Sequence, residues 1–134
     1  MTPRFMLDTD TVSFALRGQG HVADHLAANK PSQVCLSAIT LAELRFGANY
    51  RRSRKLHALI DAFTAGVQVV PFDAAAAVGF GTLGASLAHA GSPIGEFDTM
   101  IAAHALALNI TLISNNTKHF ARIPGLRLEN WYSS

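Results

Sequence analysis

The chain has 134 residues, of which 49% are hydrophobic, and a formal net charge of +2. This length and apolar content suit one domain with its own core, and a single cysteine, Cys35, excludes an internal disulfide. The apolar runs are too short to cross a membrane and the N-terminal residues lack the apolar stretch of a signal peptide, so we expect a cytoplasmic protein.

The chain begins with a strand and a helix. The apolar residues 5–7 predict a short strand that ends at Asp8. Asp10 and Ser13 then offer caps for a helix that continues to Leu16, which weakens the interpretation of Asp8 as a cap. A second short helix is expected over residues 22–27.

A second strand and a helix with an isolated acid come next. Residues 34–36 predict a buried strand closed by Ser37, and an apolar stripe over residues 39–48 predicts the helix. Glu43 lies on that helix, with Ile39 and Phe46 as apolar neighbours one turn away. We therefore expect Glu43 in an apolar setting, away from the solvated face.

The second half of the chain repeats the alternation. Residues 67–70 predict a third strand, and Asp73 caps a long helix up to about residue 90. A helix opened by Asp98 is apolar from residue 100 to 108 except for His104, so it should lie inside the molecule. Residues 111–113 predict a fourth strand, and residues 126–128 a possible edge strand. Alternating strands and helices predict an α/β domain over residues 1–134 with a mainly parallel sheet of four to five strands and helices on both faces.

Polar side chains of three separate segments are expected at one edge of this sheet. Asp8 follows the first strand, Glu43 lies in the helix after the second, and Asp98 opens the helix that leads to the fourth. Ser114 and Asn116 follow the fourth strand. Because ligands bind beyond the carboxyl ends of parallel strands, we expect Asp8, Glu43 and Asp98 to converge there.

Three converging carboxylates repel one another in a low dielectric unless a cation lies between them. Oxygen ligands without thiolates or paired histidines favour Mg²⁺ or Mn²⁺ over zinc. Such a site suits phosphate chemistry, because a metal can generate a nucleophile from bound water and stabilise charge on the phosphate. Capping of a helix is the simpler alternative for Asp98.

Positive charge is concentrated in one short segment. Its members are Arg45, Arg51, Arg52, Arg54 and Lys55. A basic run is most often a solvated helix face, and contact with an RNA backbone is our functional hypothesis for it.

Several motifs, taken in order, carry a family resemblance. They are Leu7-Asp8-Thr9-Asp10; the segment 37–48 around Glu43; Pro93-Ile94-Gly95 followed by Asp98 and the segment 101–105; the segment 112–117 with Ser114 and Asn116; and the end of the chain through Phe120, Pro124-Gly125-Leu126 and Trp131. With these motifs the chain resembles a VapC-type toxin of the PIN-domain ribonuclease family over nearly its whole length.

The resemblance implies a PIN-like three-layer α/β/α fold and a Mg²⁺- or Mn²⁺-dependent endoribonuclease. It also implies inhibition by a VapB-type antitoxin and a homodimer. Family acids fall on Asp8, Glu43 and Asp98, and Ser114 matches a small hydroxyl position. A further position that is commonly acidic falls on Asn116, which brings no charge and puts a second metal ion in doubt. The Asn-Asn-Thr form resembles a subset of these toxins that cut initiator tRNA.

Two other functions stay open at this stage. Asp8 and Asp10 also fit the Asp-x-Asp-x-(Thr or Val) pattern of a HAD-like phosphatase, in which the first Asp attacks phosphate. That fold needs a lysine and a later acidic pair, whereas the fourth strand here is followed by Ser114-Asn115-Asn116. A catalytically inactive PIN binding module is the second alternative.

Overall fold

The structure is a computed structural model that describes residues 3–134. Residues 1 and 2, on which the signal-peptide expectation partly depends, lie outside it. Five strands and seven α-helices alternate along this range. The strands are β1 (Phe5–Leu7), β2 (Val34–Ser37), β3 (Gln68–Val70), β4 (Thr111–Ile113) and β5 (Leu128–Glu129). The helices are α1 (Thr9–Arg17), α2 (Val22–Ala28), α3 (Ala38–Tyr50), α4 (Arg54–Gly66), α5 (Ala74–His89), α6 (Glu96–Leu108) and α7 (Thr117–Phe120).

The strands form one sheet in the order β3-β2-β1-β4-β5, and every pair is parallel. The predicted α/β class and the parallel sheet are confirmed, with the edge strand β5 beginning two residues later than expected. In the register, Leu7 of the central strand β1 lies opposite Leu36 and Ile113. The first polar residues after these strands therefore meet at one edge of the sheet.

The core lies in two layers because successive side chains of a strand point to opposite faces. Phe5 and Leu7 face a cluster with parts of α1 to α4 and Trp131, whereas Met6 faces a cluster built largely by α5 and α6. The three layers match the architecture that the resemblance implies. Within residues 3–134, no helix has both the length and the apolar character needed to cross a membrane.

The first helix begins differently from our prediction. Asp8, rather than Asp10 or Ser13, caps α1, and its Oδ1 accepts the backbone N–H of Thr11 at 2.8 Å. The prediction failed because the helix starts directly after the strand, which leaves Asp8 as the last extended residue. Asp8 is therefore both a cap and a member of the candidate site.

The helix that carries Asp98 also differs from the prediction. It begins at Glu96 after Gly95, and no side chain in the described part of the chain caps it. Asp98 lies in the first turn of α6 rather than at its N-cap, so the helix dipole still favours its charge although it is not the capping residue. The burial prediction for this helix is confirmed at its centre, where residues 101–105 are all buried.

Candidate active site at the carboxyl edge of the sheet

Asp8 is the most enclosed acid of the site, with 4% of its surface exposed directly beyond β1. Burial raises the pKa of its carboxyl, hydrogen bonds from Ser114 and Thr11 lower the pKa, and the nearby charge of Asp10 raises it. The hydrogen bonds partly offset the cost of a buried charge. Asp8 is thus held in place by two different segments of the chain.

Ser114 and Asn116 form the loop that follows β4. Ser114 is fully buried, contacts Asp8 and accepts the backbone N–H of Asn116 on its Oγ at 2.9 Å. The side-chain Nδ2 of Asn116 lies 3.0 Å from Nδ1 of His119. Ser114 therefore joins the loop to Asp8, whereas the Asn116 amide is engaged within its own short helix.

Glu43 reaches the site from α3 and is half-buried. Its Oε1 accepts a hydrogen bond from Oγ1 of Thr9 at 2.6 Å. The apolar setting predicted from its helical neighbours is wrong in part, because Phe46 is 71% exposed. Thr9 thus connects Glu43 with the segment that carries Asp8.

The pKa of Asp98 indicates that the three acids lie near one another. Burial, followed by the charges of Asp8, Glu43 and then Asp10, raises the pKa of the Asp98 carboxyl to about 6. Like charges disfavour ionisation only where they are close in a poorly screened environment. The structure therefore brings the predicted acids Asp8, Glu43 and Asp98 to one place, from β1, α3 and α6.

As the side chains stand, no three His, Cys, Asp or Glu residues between residues 3 and 134 are grouped closely enough to hold one metal ion. Two of the acids are turned toward hydroxyl and N–H donors of the protein: Asp8 toward Ser114 and Thr11, and Glu43 toward Thr9. The donor chemistry is that of a hard cation site, since all three groups are carboxylates. The mutual repulsion felt by Asp98 is what an ion among these groups would relieve.

Two polar residues near the acids were missed as part of the site by sequence reasoning. Thr9 follows Asp8 directly, and its position beside a candidate acid was the available signal. His104 is buried, and its Nδ1 lies 2.8 Å from Oγ of Ser37, the residue that caps α3. Burial lowers the pKa of His104, and the charge of Asp73 raises it. The His104 contact fastens the helix of Asp98 to the start of the helix of Glu43.

The basic segment is divided by the fold. Arg45 is paired with Asp61 at 2.5 Å and lies 2.9 Å from Nδ1 of His57, so its charge is engaged within the protein. The other four basic residues are exposed: Arg51, Arg52, Arg54 and Lys55. Arg51 lines a pocket of about 160 Å³ that Glu43 also lines. RNA contact by this segment stays a prediction, and Arg51 is the member that lines the same pocket as Glu43.

The raised pKa of Asp98 predicts how stability depends on pH. Because the folded-state pKa is about 6 and the ordinary value is 3.8, the folded state binds the proton more tightly. The stability contributed by this group is therefore lost as pH rises from about 4 to about 6 and stays lost above that. Thermal unfolding of the two metal-free proteins can be followed by circular dichroism. We expect the difference in melting temperature, wild type minus Asp98→Asn, to decrease as the pH rises across this range. Parallel pH profiles of the two proteins would contradict the expectation.

The comparisons with known proteins agree with the fold and with the motif order. The model of the PIN domain family matches residues 5–126. The tRNA(fMet)-specific endonuclease VapC of Salmonella typhimurium is 37% identical over 130 residues, which cover 96% of this chain and 98% of the relative. A crystal structure of DNA-bound VapBC from Salmonella typhimurium superposes with a TM-score of 0.91 at 37% identity, covering 96% of this chain and 98% of that chain. The crystal structure of VapBC2 from Rickettsia felis, bound to a DNA fragment from the promoter, superposes with a TM-score of 0.85 at 34% identity, covering 95% of this chain and 98% of that chain.

Proposed function

This chain is a VapC-type toxin of the PIN-domain family, and from that membership we propose that it is a Mg²⁺- or Mn²⁺-dependent endoribonuclease. In this proposal it hydrolyses phosphodiester bonds in RNA in the cytoplasm, as one PIN domain over residues 1–134. A VapB-type antitoxin neutralises it, and it acts as a homodimer. The names of the relatives support the proposed ribonuclease activity and the proposed VapB-type antitoxin partner.

The observation that carries the proposal is the convergence of three carboxylates from separate segments. The pKa of Asp98 is raised partly by the charges of Asp8 and Glu43, which indicates that the three carboxyl groups lie within range of one another's charge. A cluster of this kind costs stability in the folded chain, because each charge disfavours the others. Such a cost is expected of a site that binds a divalent cation and a phosphate group.

Asp8, Glu43 and Asp98 would hold the ion, and their oxygen donors fit Mg²⁺ or Mn²⁺. When bound, the ion would supply Lewis-acid stabilisation of charge on the phosphate and would make a bound water more acidic. The residues of the chain orient this chemistry. Ser114 and the Thr11 backbone N–H hold the Asp8 carboxylate, and Thr9 holds that of Glu43. Asn116 adds no charge, and we propose that its side chain orders the segment after β4 through its contact with His119.

Initiator tRNA is the specific substrate that we propose. The support is the relative from Salmonella typhimurium, whose name states tRNA(fMet) specificity and which aligns over 96% of this chain. The Ser114-Asn115-Asn116 loop, which follows β4 at the site, carries the Asn-Asn-Thr form that led to the same expectation. Exposed Arg51, which lines the same pocket as Glu43, offers a contact for the RNA backbone.

The direct test is cleavage of defined RNAs by purified protein. We expect initiator tRNA to be cut in Mg²⁺ or Mn²⁺ and to stay intact in EDTA, with elongator tRNAs cut more slowly, as read on denaturing gels. Cut ends mapped by sequencing would give the position. No cleavage of any structured RNA with any divalent metal would overturn the proposal and would favour the inactive binding module.

The phosphatase alternative is not favoured by the structure or by the relatives. Asp10, which would act as its acid/base, is exposed at the start of α1, on the solvent side of the first turn. Asp10→Asn distinguishes the two activities. A phosphatase should lose turnover, whereas the ribonuclease should keep most of its RNA cleavage, because Asp10 is exposed and its charge is the weakest of the influences on the pKa of Asp98.

A further inference from the structure

The hydroxyl of Thr9 forms a short hydrogen bond to the Glu43 carboxylate at the candidate site. Its Oγ1 lies 2.6 Å from Oε1 of Glu43 and 3.4 Å from Oγ1 of Thr40. Thr9 is the first residue of α1, and Glu43 and Thr40 lie one turn apart on α3. The contact therefore connects two helices that follow two adjacent strands.

A threonine hydroxyl has one proton, so Thr9 donates to only one of these neighbours. The carboxylate is the better acceptor and is closer, which leaves the Thr9 oxygen free to accept the proton of Thr40. Thr40 is fully buried, and a buried hydroxyl without a partner is costly. The 2.6 Å bond to Oε1 of Glu43 is therefore the main hydrogen bond of the Thr9 hydroxyl, with the Thr40 hydroxyl as a more distant and weaker neighbour.

The hydrogen bond from Thr9 restricts the carboxylate of Glu43, whose side chain is long and flexible. Glu43 is half-buried and has no cationic partner among residues 3–134, since the only ion pairs there involve His21 with Asp24 and Arg45 with Asp61. No group in this range donates a hydrogen bond to Oε2, the second oxygen of Glu43. A hydroxyl bond to one oxygen, with the other left open, suits a carboxylate that must also face a metal ion.

We propose that Thr9, supported by Thr40, is a positioning residue that orients the Glu43 carboxylate for metal binding. The inference rests on the proposed function, because it assigns Glu43 to the metal site. Thr9 itself contacts neither metal nor substrate in this proposal and acts through Glu43. Its neighbour in sequence, Asp8, is held separately by Ser114 and Thr11, so the two acids have independent supports.

The test is the affinity of the full-length chain for Mn²⁺, measured without RNA by electron paramagnetic resonance of the free ion. We expect Thr9→Val, which keeps the shape but removes the donor, to weaken Mn²⁺ binding by about tenfold, the usual order for loss of a hydrogen bond to a metal ligand. Thr9→Ser restores the hydroxyl and should bind within roughly threefold of wild type. Thr64→Val is the matched control, because Thr64 is also half-buried on a helix but bonds only the carbonyls of Ile60 and Asp61.

A double-mutant cycle with Glu43→Gln separates positioning from a general structural effect. If Thr9 acts through Glu43, Thr9→Val should cause no further loss of Mn²⁺ affinity in the Glu43→Gln background. An equal loss in both backgrounds, or wild-type affinity of Thr9→Val, would overturn the inference. If circular dichroism shows that Thr9→Val does not fold, Thr40→Val replaces it, with an expected loss of roughly threefold.

Failure of this inference and failure of the proposed function give different results. A wild-type chain that neither binds Mn²⁺ nor cuts RNA contradicts the proposed function. A wild-type chain that does both, while Thr9→Val binds Mn²⁺ equally well, contradicts only the role of Thr9.

Discussion

Asp98→Asn should reduce RNA cleavage by on the order of 100-fold or more, because it removes one of three charged donors from the metal site. The same substitution should raise the melting temperature of the metal-free protein at neutral pH. Burial and the charges of Asp8 and Glu43 raise the pKa of Asp98 to about 6, so its ionised form is unfavourable in the folded chain. The first effect follows from the loss of a metal donor and the second from the removal of an unfavourable buried charge, and both can be measured on one protein sample.

Glu96→Gln is the matched control for this prediction. Glu96 lies in the same first turn of α6, but it is exposed. Removing its charge should change neither cleavage nor melting temperature appreciably. Undiminished cleavage by Asp98→Asn would contradict the ribonuclease site. A melting temperature of Asp98→Asn below that of wild type at neutral pH would contradict the close approach of the three acids.

Trp131→Ala should destabilise the protein by about 3–5 kcal/mol, the usual range for removing a large buried aromatic side chain. Trp131 is 2% exposed near the end of the chain. Its ring contacts Phe5 edge-on at 5.1 Å between centroids and stacks on His25 at 4.9 Å. It therefore closes the core between β1 and α2, and its loss leaves a cavity beside the strand that ends at Asp8.

Urea unfolding monitored by circular dichroism measures this loss. Tyr132→Ala is the matched control, because the neighbouring aromatic residue packs on Phe14 but keeps 36% of its surface exposed. Its cost should be clearly smaller, since less surface returns to water. Trp131→Phe should recover a large part of the stability. Equal costs for Trp131→Ala and Tyr132→Ala would show that the C-terminal segment contributes to stability as a whole rather than through one buried ring.

Secondary structure and the position of the candidate acids were predictable because both depend on short stretches of sequence. Short runs rich in apolar and β-branched residues indicated each of the strands β1, β2 and β4. The polar residue that ends such a run must lie at the carboxyl edge of a parallel sheet, so Asp8 and Ser114 could be placed there. Asp98 could be predicted near them, because the helix it opens leads directly into β4.

Contacts between distant segments could not be predicted in this way. Glu43 is separated from Thr9 by 34 residues, and His104 from Ser37 by 67. Helical neighbours suggested an apolar setting for Glu43, yet Phe46 points to solvent. Periodicity describes which residues share a face, but the partner of that face is set by the packing of other elements.

The sequence by itself determined the class of fold, the order of its elements and the set of acids at the sheet edge, since local hydrophobic pattern and chain direction are sufficient for these. Only the tertiary structure decided that Asp8 caps α1 while it also faces Ser114, and that Thr9 holds Glu43. It also decided that Trp131 is buried against β1. These features depend on distances between atoms far apart in the chain, which exist only after both core layers have packed against the sheet.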